Sequence, residues 1–158
     1  MSNRTTPVEL TNMILIEDPT THAVLVEDRK NPSWPGVTFP GGHIEPGETI
    51  TESVIREAYE ETGLTISNPQ LVGIKEWPLE GSSRYIVFLY KTQDYTGELK
   101  SSGEGDIFWT SRTDLLNGRY ELPNTFAEML TVFDETTVNE LALITPKDAS
   151  QDWIIDWQ

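Results

Sequence analysis

The sequence predicts an α/β domain. Segments with the β-branched and aromatic content of strands alternate with segments whose apolar residues recur at helical spacing, and no repeat or low-complexity linker divides them. The predicted strands are Leu10–Glu17, Ala23–Asp28, Leu71–Trp77, Arg84–Lys91 and Ile107–Thr110. Asp18-Pro19-Thr20-Thr21 separates the first two like a hairpin loop. The run Asn31-Pro32-Ser33-Trp34-Pro35-Gly36 cannot continue a strand, and Val37-Thr38-Phe39 gives a short extended piece ending at Pro40-Gly41-Gly42.

Ile50–Thr62 is the clearest helix. Thr49 and Glu52 stand at capping-box spacing, where each side chain satisfies a free amide of the first turn. Gly63 stands where a left-handed stop residue is wanted. At about 100° per residue, Ile50, Val54, Ile55, Ala58 and Thr62 share the side that should face the core. A second helix is expected over Asn124–Asp134, with Phe126, Met129, Leu130 and Phe133 as its apolar face, and a short helical turn near Thr113–Leu116.

Composition sets bounds on function. The 158 residues suffice for one domain with a sizeable core, so 1–158 reads as a single domain with 136–158 as a C-terminal tail. The net charge of −15 repels a polyphosphate backbone, which argues against long nucleic acid as a partner. No apolar run approaches the roughly 20 residues of a membrane span. The first seven residues lack the apolar core of a secretory signal, and cysteine is absent. Both fit a cytoplasmic protein. Trp153, Ile154, Ile155 and Trp157 near the end are apolar enough to dock on the domain or on a second copy in a homodimer.

The chemistry concentrates on the predicted helix. Glu57, Glu60 and Glu61 are spaced i, i+3, i+4 and occupy an arc of about 100° beside the apolar face. Like charges so placed repel, and the repulsion grows where the effective dielectric falls. A divalent cation removes it, and carboxylate oxygens are the hard ligands that Mg²⁺ prefers. By themselves the three carboxylates are also what many solvated helix faces look like. Their surroundings add specificity: Gly41 and Gly42 let backbone approach a ligand closely, Glu48 precedes the helix, and Arg56 can grip nearby carboxylates with its forked donors.

Gly42, Glu48, Arg56, Glu57, Glu60, Glu61 and Gly63, with Ala58 and Leu64 in the two hydrophobic slots, match every fixed position of the Nudix box over 23 residues. The chain therefore resembles the Nudix hydrolases. The resemblance implies a Nudix-type α/β/α sandwich with a mixed β-sheet and the attack of water on a phosphorus of a nucleoside diphosphate linked to another group. It implies that Glu57, Glu60 and Glu61, with the Gly41 carbonyl, bind Mg²⁺ or Mn²⁺. Glu57 is also the candidate general base, and Glu48 and Arg56 hold the helix and loop in place. A further acidic ligand is expected from a downstream loop, with Glu104 preferred over Asp106; an ordinary turn residue is the alternative.

Substrate choice rests on loops. The Trp34–Gly42 segment is similar to that of the MutT-like branch, which implies a small nucleotide substrate such as the oxidised purine triphosphate 8-oxo-dGTP, cleaved to monophosphate and pyrophosphate. Asn124 is the candidate reader of the purine edge, since an amide both donates and accepts, and equally a candidate helix cap. Trp34 or Phe39 could stack on the base or simply pack. Gly42 and His43 are candidate phosphate-side contacts, although many relatives carry Lys or Arg where this chain has His43. Arg29, Lys30, Lys75 and Arg84 are the other cations that could meet phosphate or remain surface charges. Pro78 lies near where an ADP-ribose-cleaving branch carries a proline, and it would also simply end a strand. ADP-ribose or another nucleoside diphosphate conjugate is the alternative substrate, and a non-catalytic nucleotide-binding regulator is the alternative of another class.

Overall fold

The computed structural model describes residues 4–144 and 153–158. Its elements are β1 (Val8–Ile16), β2 (Val24–Arg29), β3 (Gly36–Thr38), α1 (Ile50–Thr62), β4 (Leu64–Ser67), β5 (Gln70–Pro78), β6 (Arg84–Thr92), β7 (Asp94–Gly97), β8 (Gly105–Thr110), α2 (Arg112–Leu116), α3 (Phe126–Asp134), β9 (Glu140–Ile144) and β10 (Ile154–Trp157).

One mixed sheet has the order β1-β6-β5-β9-β10, with β1 parallel to β6, β5 antiparallel to β6 and parallel to β9, and β9 antiparallel to β10. A second, antiparallel sheet runs β3-β2-β8, and β4 pairs with β7 alone. Strands β1 and β2 are apolar on both faces, as a layer covered on both sides requires. Because strand side chains alternate, Leu15, Val24 and Val26 join one core with Phe126, Met129 and Phe133 of α3. Ile14, Ile16 and Leu25 join the other, with Val54 and Ala58 of α1. This is the α/β/α sandwich expected from the resemblance.

Helix α1 begins and ends where its capping residues dictate. The Thr49 hydroxyl accepts from the Glu52 amide at 3.2 Å, and the Glu52 carboxylate accepts from the Thr49 amide at 2.7 Å. Gly63 closes the helix at φ 77°, a left-handed conformation that favours glycine, and donates to the Tyr59 carbonyl.

Three expectations are corrected. The Asp18–Thr21 turn forms, with Asp18 accepting from the Thr20 and Thr21 amides, but β1 and β2 are no hairpin. They belong to different sheets and meet only at this turn, through the antiparallel bridge Glu17–Val24 and the Asp18 amide donating to the Ala23 carbonyl, because their edges are otherwise taken: β1 by β6 and the Pro40–Ile44 backbone, β2 by β3 and β8. Helix α3 starts at Phe126, and its N-cap is Thr125 at φ 63°. Asn124 is therefore outside the helix and does not cap it. Finally, Phe39 is 1% exposed, its ring 5.0 Å from that of Phe126 and 5.5 Å from that of Phe133. A ring so enclosed has no free face for a base and serves as packing.

The stretch read as a tail contributes β9 and β10, which extend the main sheet beyond β5; residues 145–152 of it, like Met1–Asn3 at the other end, lie outside the described residues. No helix among the described residues is long and apolar enough to cross a membrane. Truncating Phe39 should leave a large void between the sheets and α3. Phe39→Ala is expected to lower the unfolding free energy by about 3–5 kcal/mol in urea titrations monitored by circular dichroism.

Candidate active site

The Gly-rich loop is laid along β1 by backbone hydrogen bonds. The Ile14 amide donates to the Pro40 carbonyl, the Asn12 amide to Gly42 and the Ile44 amide to Leu10. The packing leaves no room for side chains on the glycines. A Cβ on Gly41 would lie 2.1 Å from the Asn12 carbonyl oxygen, and one on Gly42 would lie 2.5 Å from the Glu57 carboxyl carbon. The loop thus abuts α1 at the turn that carries Glu57.

Arg56 connects the two. Its Nε and Nη2 donate to the two carboxylate oxygens of Glu48 at 3.0 and 2.7 Å, and Nη2 also donates to the His43 carbonyl. Its Nη1 donates to Glu57 at 2.7 Å and to Glu60 at 3.1 Å. The Glu48 hydrogen bonds hold Arg56 firmly protonated, and Arg56 holds the Glu48 carboxyl below the usual carboxylate range. Arg56 and Glu48 thus spend their polar atoms on the protein itself, tying the loop to the helix.

Glu61 is 3% exposed and accepts from the Gly41 amide at 2.8 Å. Burial, then the neighbouring Glu27 charge, pushes its carboxyl up to about 9. Burial also raises Glu57. Glu60 is more open, with its side chain 57% exposed. Glu104 is exposed on the loop before β8, yet its charge acts on Glu27, Glu57 and Glu61. Asp106, the second choice, is paired with Lys30 at 3.0 Å.

Sequence reasoning missed Glu27. It lies in β2 after three buried apolar residues, is 1% exposed, and its Oε1 has no hydrogen-bond partner among the described residues. The signal was available: Glu27 has the parity of Leu25, so a strand reading puts an acid on a buried face. Asn12 has the parity of Ile14 and Ile16 and faces α1 likewise. Its amide donates to the Ser53 hydroxyl, while its Oδ1 is buried without a partner.

These groups fit a hard divalent cation. Every side chain in the constellation offers oxygen, and the two buried orphan atoms are both acceptors on the α1 side. Among the described residues, no three acidic or histidine side chains already converge on one point. Arg56 draws Glu57 and Glu60 toward itself, and the Gly41 amide engages Glu61.

Beside the loop opens a cleft of about 780 Å³, lined by Trp34, Lys75, Trp77, Tyr85, Asn124 and Met129 among others. Trp77 and Tyr85, partners across β5 and β6, stack at 4.4 Å and 11°. Lys75 lies 5.7 Å from the Trp77 ring centre, and burial lowers its ammonium to about 8. Trp34 is 56% exposed at this cleft, and Asn124 is exposed on it as well. Arg29 and His43 also line it, with His43 2.7 Å from Glu9. Arg84 instead pairs with Glu76, and Pro78 is the last residue of β5.

Residues 9–148 match the family model of the NUDIX domain. The chain belongs to the Nudix family. It is 34% identical over 113 residues to the uncharacterized Nudix hydrolase YvcI of Bacillus subtilis, covering 68% of each chain. It is 33% identical over 82 residues to an ADP-ribose pyrophosphatase of Methanocaldococcus jannaschii, covering 51% of this chain and 48% of that protein. The crystal structure of a MutT protein from Bacillus halodurans superposes with a TM-score of 0.70 at 27% identity, covering 94% of this chain and 97% of that one. The protein is thus a MutT-like Nudix hydrolase, a family of enzymes that act on nucleoside diphosphate-linked compounds.

The buried carboxylates are expected to make the stability of the fold depend on pH. A folded-state value raised from 4.5 to about 9 means that Glu61 binds its proton more tightly in the native state. Its stabilising contribution is complete below about 4.5 and is lost as pH rises toward 9. Glu27 and Glu57 act with the same sign. Metal-free protein is therefore expected to lose stability between pH 5 and 9 in chemical denaturation, by up to about 1.4 kcal/mol per pH unit for each full proton. Millimolar Mg²⁺ should flatten that slope.

Proposed function

We propose that this Nudix hydrolase cleaves a phosphoanhydride of a purine nucleoside triphosphate, most favourably an oxidised one such as 8-oxo-dGTP, to the monophosphate and pyrophosphate. The observation that carries the reading is adjacency. The Gly41–His43 edge of the aromatic cleft abuts the carboxylates of α1, so a nucleotide whose base enters the cleft brings its phosphates to the acidic wall.

The geometry supports the following roles. Stacked Trp77 and Tyr85, with Trp34 at the mouth, offer a planar apolar surface of the kind a base requires. Asn124 is free of capping duty and can present donor and acceptor to a purine edge. Lys75 and Arg29 bring positive charge to a strongly acidic molecule. Glu57, Glu60 and Glu61, with the Gly41 carbonyl and Glu104, are the residues to hold Mg²⁺ or Mn²⁺. Bound there, the ion supplies charge neutralisation for phosphate oxygens and lowers the pKa of water. A water oxygen forms the new bond to phosphorus, the bridging phosphorus–oxygen bond breaks, and the water proton passes to a carboxylate. Glu57 suits that role, because burial raises its basicity and Arg56 fixes its orientation.

The likeness to a protein named ADP-ribose pyrophosphatase supports a second reading, in which a nucleoside diphosphate conjugate occupies the same cleft. A hydrolysis panel of purine triphosphates, their 8-oxo forms and ADP-ribose, with Mg²⁺ or Mn²⁺ and product identification, separates them. Pyrophosphate release from an 8-oxo purine triphosphate is expected to dominate; faster turnover of ADP-ribose would reverse the assignment. Glu57→Gln combined with Glu60→Gln should retain the fold and lose metal-dependent hydrolysis by orders of magnitude, since charge stabilisation by a bound ion is worth several kcal/mol.

A further inference from the structure

We propose that Glu27 is an additional oxygen donor to the divalent-cation site, reaching it from β2 beneath the acidic helix. The proposal deepens the reading of α1 as cation-binding and rests on it. Glu27 lies outside the box that defines the family, on a strand of the second sheet, so the helical motif itself assigns it nothing.

The strand register fixes where Glu27 points. Leu25 and Glu27 alternate to the same face of β2, and Leu25 packs in the core that α1 covers through Val54 and Ala58. The carboxylate therefore rises toward α1. It does so at the end of the strand where β8 begins: Glu27 pairs with Ile107, and a Cβ on Gly105 would lie 2.6 Å from Glu27 Cγ and 2.9 Å from Oε1. This bare glycine leaves the space that the carboxylate fills, next to the loop that carries Glu104. Glu27 is near enough to Glu61, Glu57 and Glu104 for their charges to act on one another.

The burial demands a partner. A buried acceptor without a hydrogen bond costs about 1–3 kcal/mol, and more if charged. Among the described residues none donates to Oε1, although the side chain is 1% exposed. Repulsion from Glu104 and Glu57 adds to that cost. An uncharged Gln would fill the same space with less penalty, so stability of the fold is no reason to have Glu here. A divalent ion held by Glu57 and Glu61 would satisfy the orphan oxygen and relieve the repulsion together. The remaining way to satisfy this oxygen is a proton, which would make Glu27 a neutral spacer beside Glu61.

Manganese titration of the full chain separates the two, with affinity read by calorimetry and by the electron paramagnetic resonance of free Mn²⁺. Glu27→Gln should weaken Mn²⁺ binding about tenfold or more, the size of effect expected for a group that supports a metal site. The metal-free variant should be as stable as wild type or more so, since a buried like charge is gone. Wild-type Mn²⁺ affinity in Glu27→Gln, with affinity lost in Glu57→Gln, would overturn the role of Glu27 and leave the acidic helix as the cation site. If wild-type protein binds no Mn²⁺ at millimolar concentration, the cation site and Glu27's place in it both fall. Should the glutamine variant not fold, Glu27→Asp is read in the same way: its carboxylate, withdrawn by one methylene, should bind Mn²⁺ several-fold more weakly, and unchanged affinity overturns the proposal.

Discussion

Arg56 spends all five of its donors on the protein: two on Glu48, one each on Glu57 and Glu60, and one on the His43 carbonyl. The rest of the site depends on this guanidinium. Without it, α1 would carry Glu57 and Glu60 unpaired beside a loop whose glycines are already in contact with the helix. With it, the loop, the turn before the helix and the exposed acidic edge become one rigid body. A lysine could not replace it, because a single ammonium lacks the planar fork that grips both oxygens of Glu48.

Arg56 neutralises only the outer half of the wall. Behind it, Glu61 and Glu27 are buried with no cationic side chain bonded to either, and both carboxyls are pushed up by loss of solvent. The site is thus graded. Its outer edge is screened by a protein cation, and its interior has no cationic side chain bonded to it among the described residues. That grading suits the proposed reaction, since a site satisfied entirely from within would have no open position for a substrate phosphate.

Much of this was legible in the sequence because local rules fix it. Helix α1 begins at Thr49 and stops at Gly63 through contacts that span only a few residues, so its boundaries and the arc of its glutamates follow from spacing alone. The two-core sandwich follows from strands apolar on both faces. What sequence spacing could not supply is partnership across the fold. Nothing in Leu10–Glu17 announces that β1 lies beside β6 rather than β2, and nothing in Asn124 announces that the helix waits until Phe126. Glu27 was half legible: its parity with Leu25 marks the buried face, but not what buries it. An acid at the end of an apolar strand looks like the strand's exit to solvent until β8 and α1 are seen to enclose it. Trp77 and Tyr85 likewise become an aromatic floor only when β5 and β6 pair.

The parallel pairing of β1 with β6 joins Val8 to Arg84 and Ile16 to Thr92. Everything that defines the acidic wall, from the Gly-rich loop through α1, is enclosed by that closure. Helix α1 can form early from its own caps, but the loop acquires its position only once β1 has found a strand more than seventy residues away. Contacts of such separation form late and slowly. Helix α1 packs on Ile14, Ile16 and Leu25, which precede it in the chain, but the β6 strand beside β1 comes from well beyond it. The acidic wall is thus a product of tertiary closure rather than of the helix alone, and a change that loosens β1 from β6 reaches it without touching a single glutamate.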